Sequence, residues 1–131
     1  MVLYLNRMES KVFYEFIDAE IHCCVNEYDY DTGRCPSKKR LADSRYAKSV
    51  IEKWAAKQDK VDGNFINLDK IIGCDIELSE KEARYCKVLI DKAVKDIGKE
   101  LSKLEEPYTG ANKIMKDMAD TAVSITKSLT I

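Results

Sequence analysis

A chain of 131 residues is one domain's worth and can bury roughly two thirds of its extended surface. Hydrophobic content of 45% with only five glycines and two prolines excludes a disordered chain and argues against a strand-rich one that needs many tight turns. The formal charge of −1 conceals two opposite fields: residues 9–31 hold seven acids against the lone base Lys11, and residues 34–60 hold nine bases against three acids. Such neighbouring fields either satisfy each other within the fold or meet a charged partner.

The opening Met1 to Leu5 is far short of a signal-peptide core or a membrane span, which predicts a cytoplasmic protein without membrane attachment. Over residues 2–26, Leu5, Met8, Val12, Phe16, Ala19 and Cys23 recur at three- and four-residue steps, with Phe13, Ile17 and Cys24 widening the stripe. That spacing predicts an amphipathic helix along the whole stretch. Glu27-Tyr28-Asp29-Tyr30-Asp31-Thr32-Gly33 piles like charges and turn formers ahead of Pro36, so a loop is expected over about 27–36. A second helix follows, capped by Ser37 or starting at Asp43, with Ala47, Val50, Ile51, Trp54 and Ala55 on its apolar face and an end near Gln58.

Between residues 60 and 78 the pattern predicts a short irregular segment: a turn at Asp62-Gly63-Asn64, a brief extended piece at Phe65-Ile66-Asn67, and a short helical piece from Leu68 to Ile72 ended by Gly73. Ser79-Glu80-Lys81-Glu82 then reads as a capping box that opens the longest helix, whose stripe runs through Ala83, Cys86, Ile90, Ala93, Ile97, Leu101 and Leu104. Gly98 inside it suggests close helix packing. After Pro107 a last helix carries Ala111, Met115, Met118, Ala122, Ile125 and Leu129, and the short connection implies a helical hairpin. The predicted fold is therefore all-α: a single domain over residues 1–131, built as a compact bundle of about four main helices, with no internal repeat visible.

The acidic loop alternates carboxylates with tyrosines. Its register fails as a calcium loop, because Thr32 stands where a glycine belongs and Lys38 where a closing glutamate is needed. Tyrosine brings contact area at low entropy cost, so Tyr28, Asp29, Tyr30 and Asp31 read as a partner-binding surface. The basic segment offers a second surface, in which Arg34, Lys38, Lys39, Arg40, Arg45 and Lys48 gather around a helix start and Tyr46 or Trp54 can stack a base. Asp59 to Asp69 resembles a calcium-hand loop in its Asp-Gly-Asn and Phe-Ile-x-Leu elements, but lacks the first ligand, the following glycine and the closing glutamate. The acid pairs Glu77 with Glu80 and Asp117 with Asp120 resemble those with which all-α nucleotide pyrophosphatases hold magnesium, at a spacing that solvated helix faces also produce.

One histidine, His22, cannot build a His-rich metal site, and its neighbours Cys23 and Cys24 point about 100° apart on a helix. Five cysteines without a C-x-x-C spacing read as reduced thiols. These features predict neither metal nor cofactor nor catalysis. The expected role is a non-enzymatic regulatory or inhibitory protein–protein interaction module of adaptor, immunity or viral and phage accessory type. The alternative is a binder of nucleic acid or a phosphorylated small ligand through residues 34–60. Seventeen lysines against five arginines is a bias that accompanies AT-rich genomes, phages among them. The apolar stripes suffice for a monomer or for a symmetric homodimer.

Overall fold

The computed structural model describes residues 1–26, 38–61 and 65–130, with side chains described over 1–22, 42–60 and 66–130. Its order is β1 (Val2–Leu5), α1 (Arg7–Asn26), α2 (Lys38–Ala55), β2 (Lys60–Val61), β3 (Phe65–Ile66), a 3₁₀ turn (Leu68–Lys70), β4 (Cys74–Glu77), α3 (Glu80–Leu101) and α4 (Ala111–Ser128). The mainly all-α expectation holds: four helices pack around a common core, each of α1–α2, α2–α3, α3–α4 and α4–α1 in contact, with α1 also touching α3.

The expected helix over 2–26 is corrected at its start. Val2-Leu3-Tyr4-Leu5 is a strand that buries Leu3 and Leu5 and exposes Val2 and Tyr4, the period-two pattern of a half-buried strand. It pairs antiparallel with β4, Leu3 opposite Ile76 and Leu5 opposite Cys74. The helix begins after Asn6, whose side-chain oxygen accepts from the Glu9 amide at 2.8 Å while Glu9 Oε1 accepts from the Asn6 amide at 3.0 Å. This is a capping box, and it satisfies two backbone donors that the helix cannot. α2 starts at Lys38, the earlier of the two expected starts.

In the irregular segment, the extended piece is β3, paired with β2, and the helical piece is the 3₁₀ turn; the Asp62-Gly63-Asn64 turn lies outside the described residues. β4 was not expected. Gly73 was read as a helix stop, yet its role is steric: a Cβ there would lie 2.8 Å from the Leu5 carbonyl oxygen and 3.1 Å from the Arg7 nitrogen, where this backbone crosses the β1–α1 junction. Gly98 is corrected as well, since a Cβ on it would meet nothing within 4 Å.

Ser79 caps α3 as predicted, its hydroxyl accepting from the Glu82 amide at 3.1 Å and Glu82 Oε1 accepting from the Ser79 amide at 2.9 Å. α4 also falls where the spacing placed it. The core gathers Leu3, Phe13, Ile17, Val50, Trp54, Ile76, Leu78, Cys86, Ile90, Ile125 and Leu129, all at most 2% exposed. Trp54 lies at its centre, stacked on Tyr14 with ring centroids 4.6 Å apart and donating its indole N–H to the buried Ser10 hydroxyl at 2.8 Å. That bond satisfies a buried polar group which would otherwise cost about 1–3 kcal/mol.

Candidate functional site: a groove between three helices

The predicted site residues fall into three sets. Tyr28, Asp29, Tyr30, Asp31 and Arg34 lie outside the described residues, and Lys38, Lys39 and Arg40 stand in the first turn of α2 with side chains that are likewise not described. Arg45 and Lys48 are exposed on α2. Trp54 is corrected: fully buried and held by Ser10 and Tyr14, it has no face left for a base. Tyr46 is half-buried, its ring tilted 32° to that of Tyr85 at 5.9 Å.

Tyr46 belongs to a different feature, a groove of about 760 Å³ walled by α1, α2 and α3. The apolar stripe of α1 is wider than the core it serves. Phe13 and Ile17 turn fully inward, while the half-buried Phe16 and the exposed Ala19, one residue behind and two ahead of Ile17, line the groove. The same division occurs on α3, where Cys86 and Ile90 enter the core and Tyr85, Leu89 and Ala93 line the groove. Val88 extends this apolar lining to the surface, 65% exposed.

The rim is charged on both sides. Lys81, Arg84 and Lys92 stand along the α3 wall around Val88, with Asp96 one turn beyond Lys92, and Asp43 of α2 with the buried Glu20 of α1 stand on the other. Arg84 also reaches Glu80 one turn back at 2.7 Å, an exposed pair that is worth little to stability. The helix pattern of apolar stripes made most of these residues look like core. The signal for the site was Val88 itself, an apolar side chain in line with Arg84 and Lys92 at four-residue steps, where a solvated face would carry another polar residue.

Beside the groove, α2 and α3 are tied by a buried carboxylate. Glu82 accepts from the Lys53 ammonium, from the Ser49 hydroxyl at 2.7 Å and from its own cap at Ser79. Burial alone pushes its pKa up, but Lys53, Ser79 and Ser49 together outweigh burial and lower it from 4.5 to about 2. Lys53 of the basic segment thus meets an acid of α3 rather than one of the acidic stretch.

Elsewhere the candidate groups have structural partners. Burial, followed by the Glu82 charge, pushes the Cys86 thiol up to about 12, and Cys74 is raised mainly by burial, so neither is a thiolate near neutral pH. Both are free of disulfides. His22 is 72% exposed and sits 3.2 Å from Asp18 one turn earlier. Lys113–Asp117 and Lys116–Asp120 pair within α4 at 2.7 Å, as solvated helix faces do. Among the described residues, no group of three or more His, Cys, Asp or Glu side chains is placed to hold a metal ion, and no helix is long and apolar enough to cross a membrane.

These features define a helical bundle carrying a two-stranded ribbon and an amphipathic groove. Comparison with protein-family models, curated proteins and solved structures finds no match to the chain.

Proposed function

We propose that this protein is a non-catalytic protein–protein interaction module, and that the α1–α2–α3 groove is its contact surface. The observation that carries the reading is the groove's make-up: an apolar floor running out to exposed Val88, with Lys81, Arg84 and Lys92 followed by a single acid, Asp96, on the α3 wall and the acids Asp43 and Glu20 on the opposite one. A partner helix fits such a surface when its apolar residues repeat at i, i+3, i+4 and i+7, with acidic residues on the flank that meets Lys81, Arg84 and Lys92. The apolar floor supplies affinity, and the charged walls supply register and on-rate. The contacts expected of Tyr28, Asp29, Tyr30 and Asp31, which lie outside the described residues, are retained in the proposal on the strength of the sequence alone.

The nucleic-acid alternative keeps Arg45 and Lys48 but loses the buried Trp54, and the ribbon offers it no help. The outward positions of the ribbon are Val2, Tyr4, Asp75 and Glu77, and two carboxylates repel a phosphate backbone.

A photo-reactive residue at position 88 in the protein expressed in its own host, with a second one at exposed Ile114 on α4 as control, tests the proposal. The expected result is one protein cross-linked from 88 and not from 114. With that protein purified, Val88→Glu weakens binding by about tenfold or more while leaving the melting temperature in place. Equal affinity of Val88→Glu and the parent chain overturns the reading.

A further inference from the structure

Apart from the β2–β3 pair and the 3₁₀ turn that separate them, the two halves of the chain carry the same elements in the same order. A strand, a helix opened by a capping box and a second helix occur as β1–α1–α2 and again as β4–α3–α4. The correspondence holds residue by residue. Leu3 and Ile76 stand 73 positions apart and are both buried, as are Leu5 and Leu78, Phe13 and Cys86, and Ile17 and Ile90. The caps Asn6 and Ser79, and the box glutamates Glu9 and Glu82, keep that interval. In the second helices the interval becomes 75: Ala47 matches Ala122, Val50 matches Ile125, and Trp54 matches Leu129, all buried. α3 is two residues longer than α1, but the connection after it is two residues shorter, so the change of interval comes from α4, which starts two residues earlier relative to Ala122 than α2 does relative to Ala47.

Two contacts show how the halves are arranged. Glu9 Oε2 accepts from the Ser124 hydroxyl of α4 at 2.9 Å, and Glu82 Oε2 accepts from the Ser49 hydroxyl of α2 at 2.7 Å. Ser49 and Ser124 are themselves 75 residues apart, so each unit's cap glutamate is bonded to the same residue of the other unit's second helix. Reciprocal contact, in which i meets j and j meets i, is the mark of a two-fold arrangement. The ribbon agrees: Leu3 lies directly opposite Ile76, its own counterpart, which places the axis between those two residues.

We infer that the chain is two copies of one strand–helix–helix unit folded against each other about a pseudo-two-fold axis, the single-chain equivalent of a symmetric dimer, whose α1–α2–α3 groove has diverged into one polarised seat. The groove lies to one side of the axis: its lining includes the counterpart pairs Phe16 with Leu89 and Ala19 with Lys92, but also Asp43 and Tyr46 of α2, whose counterparts Met118 and Thr121 on α4 do not line it. A true homodimer would present such a groove twice, once on each side of the axis. Here Lys92 stands where α1 has Ala19, and Val88 where α1 has Glu15, so the two copies no longer match in charge along α1 and α3 and the seat takes one partner molecule in one orientation. This last step rests on the groove being the contact surface; the duplication does not.

The test separates the two. Spin labels on genetically encoded keto side chains, which leave the native cysteines untouched, are placed in the full chain at positions 8 and 84, and in a second sample at 11 and 81. All four positions are exposed, and the two pairs are images of each other under the inferred axis. Coincident distance distributions are expected, and clearly different ones overturn the duplication. The variant V88E/K92A gives the α3 wall the residues that α1 carries at those places, Glu15 and Ala19. It keeps the parent's melting temperature and binds the protein cross-linked from position 88 about tenfold or more weakly. Parent-like affinity in V88E/K92A overturns the polarised seat while coincident distances leave the duplication standing.

Discussion

Two glycines illustrate how the same residue type carries opposite consequences. At Gly73 a methyl group would press against the Leu5 carbonyl at 2.8 Å, and both partners are backbone that cannot step aside. Gly73→Ala is expected to destabilise by about 1–3 kcal/mol, the cost of overpacking. At Gly98 a methyl meets open space on a helix, so Gly98→Ala is expected to stabilise by about 0.5–1 kcal/mol by removing backbone freedom from the unfolded chain. Urea unfolding of both variants checks the pair, and the same sign for both would show that neither site behaves as its surroundings require. Glu82 adds a pH dependence at this scale. Its folded pKa of about 2 lies below the ordinary 4.5, so its stabilisation is complete above about pH 4.5 and is lost as pH falls through 2. The gap corresponds to about 3 kcal/mol, reduced to about 1–2 kcal/mol because Lys53 is partly exposed and screened. Unfolding curves of the parent and Glu82→Gln should therefore converge as pH is lowered; a constant difference down to pH 2 would remove the carboxylate from the account.

At the scale of elements, the helices were legible where spacing and capping agreed. Ser79 and Glu82 marked the start of α3 by their chemistry, and α4 followed from its three- and four-residue steps. β1 was not legible, because Leu5 and Met8 continue the spacing of Val12 and Phe16 and let a helix be drawn backwards over a strand. The local signal was present in Asn6 and Glu9, a capping box written with asparagine, and Met8 proves 60% exposed where the longer helix would have made it core. β4 lacked any such signal, since four residues that pair with a strand 69 to 75 positions away carry their partner's information and not their own. The groove was hidden for a related reason: Phe16 and Leu89 satisfy a helix stripe whether they enter the core or border it. Gln58 shows how elements are joined by residues that no periodicity marks. Its amide nitrogen donates to the Ile72 carbonyl at 3.1 Å and its oxygen accepts from the Ile72 amide at 2.9 Å, so it pairs with the segment leading to β4 as another strand would. Gln58→Ala is expected to cost about 1–3 kcal/mol, and Gln58→Glu, which accepts from the amide but cannot donate, to lose stability as well. Unchanged stability in both would mean that water replaces the amide without loss.

On the scale of the whole molecule, stability between the halves depends on a small number of polar bonds laid across a shared apolar core. The bonds from Ser124 to Glu9 and from Ser49 to Glu82 each run from one unit to the other, and each ends on a glutamate already fixed by its helix cap. A fixed acceptor has little entropy left to lose, which makes the serine's contribution a clean one. Ser49→Ala and Ser124→Ala should each cost about 1 kcal/mol and leave native helicity unchanged, because the caps remain intact. The two bonds share no partner, so the double variant should lose the sum within a few tenths of a kcal/mol. Among the described residues no ammonium pairs with Glu9 as Lys53 does with Glu82, the residue 75 positions after Lys53 being Ser128, and Glu9→Gln should therefore cost less than Glu82→Gln at neutral pH. Chemical unfolding of the three serine variants and the two glutamine variants measures all of this in one series. A double serine variant no less stable than either single one would mean that the two bonds are not independent ties between the halves, and would leave the apolar core as the means by which they cohere.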